Sequence, residues 1–176
     1  MKKIWISAML AGSLLAMPAA YGAGTDVFTA TLAGDSEVPP NNSAGSGSFK
    51  MTIDNSTSTP VINFTFTYEG LFSNPTFSHI HFGQHNVAGG VMIFLCGGGG
   101  QPACPASTSG TITGTITAAN VTGPTAQGID AGNLTAALEA IEDGDGYVNI
   151  HNAKFPAGEM RGQLRRGAGH GKGKEK

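Results

Sequence analysis

The sequence predicts an antiparallel all-β domain, a Greek-key β-sandwich with one short helix. Two observations lead to this fold class. Apolar residues alternate with threonine and other polar residues in a series of short segments, and Gly, Pro, Asn and Ser separate these segments. Period-two segments bounded by turn residues are typical of sandwiches and barrels, because one face of each strand packs on the core and the other meets solvent.

The first 23 residues have the layout of a secretory signal peptide. Lys2 and Lys3 precede an apolar stretch over residues 4–17, and small residues follow it. Because the stretch is short for a bilayer span, export with cleavage is predicted, and a membrane anchor is the alternative. The mature protein is then expected to be periplasmic or secreted, with no transmembrane segment after cleavage.

The mature domain is expected over residues 24–164, and its strands follow from the alternation. The predicted strands are centred on residues 28–32, 49–53, 62–68, 77–82, 91–95, 111–117, 148–150 and 159–164. In most of them threonine or another polar residue occupies the outward positions, which suits a solvated sheet face. The segment at 91–95 differs, because it is apolar throughout.

One segment has helical spacing. The apolar residues at positions i, i+3, i+4 and i+7 are Leu134, Ala137, Leu138 and Ile141. This spacing places them on one face of a helix. Asn133 is suited to cap its N-terminus and Gly144 to end it. We therefore expect a short helix that packs on the sheet or closes one end of it.

The domain is acidic, and the tail after it is basic. Residues 24–164 contain three Lys and Arg against eleven Asp and Glu, a net charge of −8, whereas residues 165–176 contain five basic side chains and one acidic. An acidic domain argues against nucleic-acid binding. The Gly-rich tail is predicted to be a disordered extension that favours solubility, and contact with an anionic surface is the alternative.

The chain has two cysteines, Cys96 and Cys104, on either side of a glycine-rich segment. In an oxidising compartment such a pair is most simply a disulfide. A pair of thiolate metal ligands is the alternative. The four glycines lack the lysine and the helix of a phosphate-binding loop, so that kind of site is excluded.

Three of the five histidines lie within residues 79–85. If residues 77–82 form a strand, His79 and His81 point to the same face and can converge on one ion. In the segment YVNIHN, Val148 and Ile150 are predicted to face the core, so His151 points to the opposite face. Two such strands side by side would bring three imidazoles together.

Three neutral imidazoles without a free thiol predict a copper site, with zinc as the alternative metal. A fourth ligand could be water, His85 from the loop after the strand or, for copper(I), the thioether of Met160. The alternative is that the histidines are hydrogen-bonded structural residues. His170, in the tail, is interpreted as a solvated side chain.

Arg161 has two interpretations. It could steer an anion or a carboxylate toward the histidine face. It could instead form an ion pair with Glu159 or Glu37 that fixes the edge of a strand. Because Glu37 precedes two prolines that stiffen a turn, a buried pair between Glu37 and Arg161 would connect the two ends of the domain.

Three segments resemble the chordin-type (CHRD) domain, which occurs in the extracellular protein chordin and in exported bacterial proteins. They are FTATLAGDSEVPP, FSHIHFG and YVNIHNAKFPAGEMRGQL, and together they frame residues 28–164. The last segment, with N-I-H and then P-x-G-E-x-R-G-x-L, is the most specific. The resemblance implies an all-β extracellular domain and no defined activity.

A second, local similarity is to copper/zinc superoxide dismutase, which implies a similar β-sandwich. The copper strand of that enzyme resembles HIHFG at residues 79–83, and His151 followed by Arg161 has a comparable order. No bridging histidine or zinc loop is found between residues 85 and 151. The similarity therefore implies a copper-site remnant or a copper carrier, and it does not imply superoxide chemistry.

Two functions from different classes are consistent with these features. In the first, the exported domain binds copper through His79, His81 and His151, for sequestration or delivery. In the second, it is a non-enzymatic module that binds an extracellular protein or glycan, and its histidines are structural. An enzymatic activity is not assigned, because G-x-S-x-G and H-E-x-x-H are both missing from the sequence.

Overall fold

Nine strands and one α-helix form the domain, which a computed structural model describes from residue 24 to residue 167. The strands are β1 (Thr25–Ala33), β2 (Ser46–Asp54), β3 (Val61–Glu69), β4 (Pro75–Phe82), β5 (Gly90–Cys96), β6 (Gly110–Ile116), β7 (Gly146–Asn152), β8 (Met160–Gln163) and β9 (Arg165–Arg166), and the helix, α1, is Leu134–Glu142. The predicted signal peptide, His170 and the rest of the predicted tail from residue 168 lie outside the described residues.

The strands form for the reason that the alternation predicts. Along β3 every second side chain is buried and the others are exposed. The buried ones include Phe64 and Phe66, whose rings pack on Phe49 of β2 with centroids 6.0 and 6.2 Å away. Each fully buried side chain of this size contributes roughly 1.5–3 kcal/mol. A one-residue slip of β3 would expose the whole set, which fixes its register.

All the strand pairs are antiparallel, and the strand order is β5-β4-β7-β8-β1-β2-β3-β6, with β9 beside β1. The chain crosses between the two halves of this sheet after β3, β5 and β6, as Greek-key connections do. The end strands β5 and β6 contact each other, so the sheet nearly closes into a barrel. The predicted antiparallel all-β fold is confirmed, with the two layers joined in one continuous sheet.

The predicted helix is also confirmed. The Asn133 side chain accepts a hydrogen bond from the backbone N–H of Ala136 at 3.1 Å, which caps the N-terminus of α1. Such a cap contributes about 1 kcal/mol. The buried face of the helix carries Leu138 and Ile141, and Gly144 follows its end with φ +88°. The helix contacts β7 and β4.

The predicted disulfide between Cys96 and Cys104 is present, and no free cysteine remains in the described chain. At the C-terminal end the sheet continues past Leu164, because Arg165 and Arg166 pair with β1. These two residues, expected in the disordered tail, therefore belong to the folded domain. In residues 24–167 no helix has the length and apolar character that a membrane crossing needs.

The outer face of the sheet is covered by loops around β7. Every residue of β7 is buried, in contrast to the alternating exposure of β3. Three connections supply this cover: residues 34–45 between β1 and β2, residues 83–89 between β4 and β5, and residues 153–159 between β7 and β8. Each of them forms a hydrogen bond with an outward-facing side chain of β4 or β7. The cover buries the outward-facing side chains of β7.

Candidate metal centre

The three predicted ligands lie on β4 and β7, which are neighbours in the sheet. In this antiparallel pair His79 lies opposite Asn149, and His151 lies opposite Phe77. Their side chains leave the outer face, whereas Ile80 and the other alternate residues point into the hydrophobic core. The alternation therefore places the three imidazoles as the sequence predicts.

The imidazoles converge on one point. The ring centroids lie 5.4 Å apart for His79 and His81, 5.0 Å for His79 and His151, and 5.7 Å for His81 and His151. One ligand nitrogen from each ring lies within 4.8 Å of the other two. An ion bound at about 2.0–2.1 Å from each nitrogen needs nitrogens about 3.5 Å apart. The ligand atoms therefore lie near the spacing that a three-nitrogen site needs.

Backbone carbonyls orient two of the three rings. The Nδ1 of His81 lies 3.0 Å from the carbonyl oxygen of Gly89, and the Nδ1 of His151 lies 3.1 Å from that of Pro156. A carbonyl oxygen only accepts, so each Nδ1 carries the proton and donates it. The Nε2 atom of both rings then carries the free lone pair.

The free nitrogens are buried without partners. In residues 24–167 no hydrogen-bond partner is found for the Nε2 atoms of His81 and His151, or for either ring nitrogen of His79. Each of the three residues is only 6–8 % exposed. An unsatisfied buried polar atom costs roughly 1–3 kcal/mol. A bound metal ion would remove this cost at three points at once.

The cluster is uncharged at neutral pH. Burial, reinforced by the nearby His151 and His81, lowers the pKa of His79 to about 3. Burial also lowers the pKa of His81 to about 4, a decrease that the Gly89 carbonyl partly offsets and that His151 and Arg161 reinforce. The pKa of His151 is lowered by burial as well. Protons therefore compete weakly with a metal for these nitrogens.

Aromatic rings, rather than hydrogen bonds, enclose His79. The ring of Phe94 meets it edge-on at 4.3 Å between centroids, and the ring of Phe77 lies 5.9 Å away, nearly parallel. The register of β4 and β5 shifts between Ser78 and His79, so His79 lies opposite Phe94 and not Leu95. Sequence reasoning missed Phe94, since a bulge cannot be located inside an apolar run.

Arg161 and Tyr147 form a stack with His81. The rings of His81 and Tyr147 are 4.8 Å apart and 7° from parallel. The guanidinium carbon of Arg161 lies 3.5 Å from the centroid of the Tyr147 ring, a cation–π contact. Its Nη2 also donates to the carbonyl oxygen of Gln84 at 2.8 Å. Arg161 thus holds both the covering loop over residues 83–89 and the ring of Tyr147.

The predicted ion pair between Arg161 and Glu37 is not formed. The carboxylate of Glu37 accepts a hydrogen bond from Asn149 Nδ2 at 2.8 Å, and no Asp or Glu in the described chain lies within 4.0 Å of the guanidinium. Burial raises the pKa of Glu37 to about 7, although the charge of Arg161 lowers it. Glu37 and Arg161 interact only by long-range electrostatics, because Asn149 is the side chain that forms the hydrogen bond with Glu37.

Glu159, the other suggested partner of Arg161, serves a structural role. Its carboxylate accepts hydrogen bonds from the hydroxyl of Ser43 at 2.6 Å and from the backbone N–H of Phe72 at 2.8 Å, and it also contacts Asn152. These contacts connect three segments that are distant in sequence. The fully buried Glu159 is thus accounted for without the arginine.

Neither suggested fourth ligand reaches the cluster. His85 is exposed in the β4–β5 loop and is not among the residues whose ligand atoms converge. Met160 lies opposite Ile150 in the β7–β8 pair and belongs to the hydrophobic core. Because side chains alternate along β8, Arg161 faces the histidines and Met160 faces away from them.

Comparison with protein families gives one match that covers most of the chain. The family model described as the CHRD domain matches residues 28–164. This match confirms the resemblance found in the sequence, and it spans both histidine strands and all three covering loops. No curated protein and no solved structure gives a significant match.

Proposed function

The chain belongs to the CHRD-domain family, and we propose that this member is an exported protein that binds one copper ion through the Nε2 atoms of His79, His81 and His151. Its role is to sequester or deliver the metal. The disulfide supports the export part of the proposal, because such bonds persist in oxidising compartments.

One observation carries the metal-binding part. Three imidazoles converge in a buried cluster, and the nitrogens that face one another have no partner in the described chain. Structural histidines satisfy their buried nitrogens, because each unmet one destabilises the fold. Here Nδ1 of His81 and of His151 follow that rule, whereas both Nε2 atoms break it at the same place. The pattern is the one expected of ligands.

The donor set favours copper. Imidazole nitrogens bind both copper and zinc well, and a given nitrogen site binds Cu²⁺ more tightly than Zn²⁺. The two cysteines are used in the disulfide, and none of the described carboxylates belongs to the cluster. A neutral three-nitrogen site also suits copper(I), which tolerates low coordination numbers. Zinc remains the comparison metal in the test.

The test is a titration of the chain without its predicted signal peptide, residues 24–176, with copper(I), copper(II) and zinc. We expect one equivalent of copper to bind. The His81→Ala variant should bind at least about 100-fold more weakly, since a ligand is lost. The exposed His85 lies four residues away, so His85→Ala is the matched control and should bind like the wild type.

Two results would overturn the proposal. The first is a wild-type protein that binds none of the three ions. The second is a copper stoichiometry that falls equally in His81→Ala and His85→Ala, which would indicate adventitious surface binding. Either result would favour the alternative function, a module that binds an extracellular protein or glycan and uses the histidine face as a structural layer.

A further inference from the structure

The three histidines are anchored unequally. His81 and His151 each donate Nδ1–H to a backbone carbonyl, at 3.0 and 3.1 Å, so hydrogen bonds fix their ring orientation. His79 has no hydrogen bond at either nitrogen. Rotation of its ring therefore breaks no hydrogen bond, and only packing opposes it.

The packing around His79 is aromatic and reaches solvent on one side. Phe94 lies edge-on at 4.3 Å, and Phe77 lies nearly parallel at 5.9 Å. Phe77 is 44 % exposed. The His79 side of the cluster is therefore bordered by a ring that already meets water.

The glycine-rich segment lies against these two rings. A Cβ atom on Gly98 or Gly99 would lie 2.5 or 2.7 Å from ring atoms of Phe94, and one on Gly97 would lie 2.9 Å from the ring of Phe77. Only residues without a side chain fit there. The disulfide between the residues at 96 and 104 closes this segment into a loop. The disulfide-closed glycine loop thus packs on Phe77 and Phe94, the two rings that enclose His79.

From these contacts we infer that His79 is the exchangeable ligand of the centre and that copper enters and leaves at the edge formed by Phe77 and Phe94. The inference rests on the proposed copper binding. His81 and His151 are the two ligands that hold the metal until the last step of its release. Bonds of about 2 Å in a linear arrangement place two nitrogens about 4 Å apart. That separation lies inside the 4.8 Å within which the ligand atoms are found.

Transfer then proceeds by ligand substitution. An imidazole nitrogen or a thiolate of an acceptor site forms a bond to copper(I) beside Phe77, and the bond from copper to His79 breaks. Further donors of the acceptor site then replace His151 and His81 in the same way, which completes the transfer. The metal keeps its oxidation state, and the leaving imidazole remains neutral. The partner is therefore a metal-binding site with a free nitrogen or sulfur donor, able to approach a small apolar edge.

Affinity measurements on three single variants test the asymmetry. Copper(I) binding is measured by competition with a bidentate chromogenic chelator, on residues 24–176 and its His79→Ala, His81→Ala and His151→Ala variants. We expect a loss of about tenfold or less for His79→Ala and about 100-fold or more for the other two. Equal losses, or the largest loss in His79→Ala, would overturn the inference and leave the proposed function standing. A wild type that binds no copper would overturn both.

Transfer kinetics test the route. Copper(I)-loaded protein is mixed with excess chelator, and the rate of complex formation is followed for the wild type and Phe77→Ala. We expect transfer to be about tenfold faster in the variant, or 1.4 kcal/mol in the barrier. The control is Phe72→Ala, since Phe72 is 67 % exposed and packs on Phe155. Equal rates in the wild type and Phe77→Ala would exclude this edge as the route.

Discussion

His81 and Tyr147 lie opposite each other on neighbouring strands, with nearly parallel rings, and both contact Gly89. His81 donates Nδ1–H to the Gly89 carbonyl, and the backbone N–H of Gly89 donates to the Tyr147 hydroxyl at 3.1 Å. One residue of the loop over residues 83–89 therefore orients a candidate ligand and is itself held by the tyrosine. The loop, the ligand and the tyrosine act as one unit.

Removal of the Tyr147 hydroxyl tests this unit. We expect Tyr147→Phe to lower copper affinity about tenfold, because the Gly89 carbonyl that orients His81 loses its support. Titration in the presence of the chelator measures the change. Tyr68→Phe is the control, since Tyr68 is buried elsewhere in the domain and its hydroxyl donates to the Ser107 carbonyl at 3.3 Å. Equal affinity losses in the two variants would contradict the role of Tyr147.

A methyl group at Gly89 should disrupt the loop. A Cβ atom there would lie 1.7 Å from the carbonyl oxygen of Phe82, so the backbone must move. We expect Gly89→Ala to lower the free energy of unfolding by about 2–4 kcal/mol and to weaken copper binding. Gly24→Ala is the control, because no atom lies within 4 Å of its added Cβ. Urea denaturation compares the two, and a Gly89→Ala protein as stable as the control would be inconsistent with the structure.

The metal-free protein should lose stability on acidification. Burial lowers the pKa of His79 to about 3, below the value of 6.5 for an exposed histidine. As pH falls below 6.5, His79 becomes protonated in the unfolded chain but stays neutral in the folded state. The contribution of neutral His79 is therefore present above 6.5 and is lost progressively toward pH 3. At pH 5 the loss should be about 1–2 kcal/mol.

The effect is measured as the difference between the unfolding free energies at pH 7.5 and at pH 5, each obtained by denaturation. The decrease in unfolding free energy between the two pH values should be smaller in His79→Leu than in the wild type. His85→Leu, which removes an exposed histidine, should behave like the wild type. A pH dependence that is unchanged in His79→Leu would show that the His79 ring titrates as an exposed one does.

Glu37 should have the opposite dependence on pH. Burial raises its pKa from 4.5 to about 7, so the folded state retains a proton that the unfolded state releases. The stability that this proton supplies is complete below pH 4.5 and is lost as pH rises through 7. We expect Glu37→Gln to be about 1–3 kcal/mol more stable than the wild type at pH 8, with a smaller difference at pH 5. Its amide oxygen still accepts from Asn149.

The exposed Glu139 of α1 supplies the control for this experiment. Glu139→Gln should follow the wild type at both pH values, as judged by thermal or urea unfolding. A constant difference between Glu37→Gln and the wild type from pH 5 to pH 8 would mean that the carboxyl group of Glu37 ionises normally.

Opening the disulfide should affect stability and metal transfer together. Replacement of Cys96 and Cys104 by alanine removes the closure of the glycine loop that packs on Phe94 and Phe77. We expect a loss of about 2–3 kcal/mol in stability. We also expect faster copper transfer to the chelator, because the rings around His79 lose their support. Reduced stability with an unchanged transfer rate would separate the loop from the exit route.

The features of this molecule that could be predicted from its sequence are those that depend on the periodic spacing of apolar residues. Alternation in β3 and the i, i+3, i+4, i+7 spacing in α1 are local signals, so these elements could be located from the sequence. The common face of His79, His81 and His151 follows from the same rule. The pairing of β4 with β7 does not follow from that rule, because local residue spacing does not show which distant strands become neighbours.

Other features of the site depend on contacts that alternation does not encode. The position of Phe94 beside His79 results from a bulge within an apolar run. The partner of Glu37 is an amide, Asn149, and not the guanidinium of Arg161, because a loop conformation decides which side chain it meets. Met160 and Arg161 are adjacent in sequence, so their side chains lie on opposite faces of β8. The prediction that both could reach the histidine face was therefore inconsistent with the alternation of side chains along a strand.

The histidines and the hydrophobic core occupy opposite sides of the same two strands. Ile80, Val148 and Ile150 supply the inner side, and they contribute to folding whatever occupies the outer side. Substitutions at the three imidazoles can thus remove the proposed ligands without removing any core residue. Relatives that share this architecture could accordingly differ in whether they carry a metal at all, and membership of the family would predict their shape better than their chemistry.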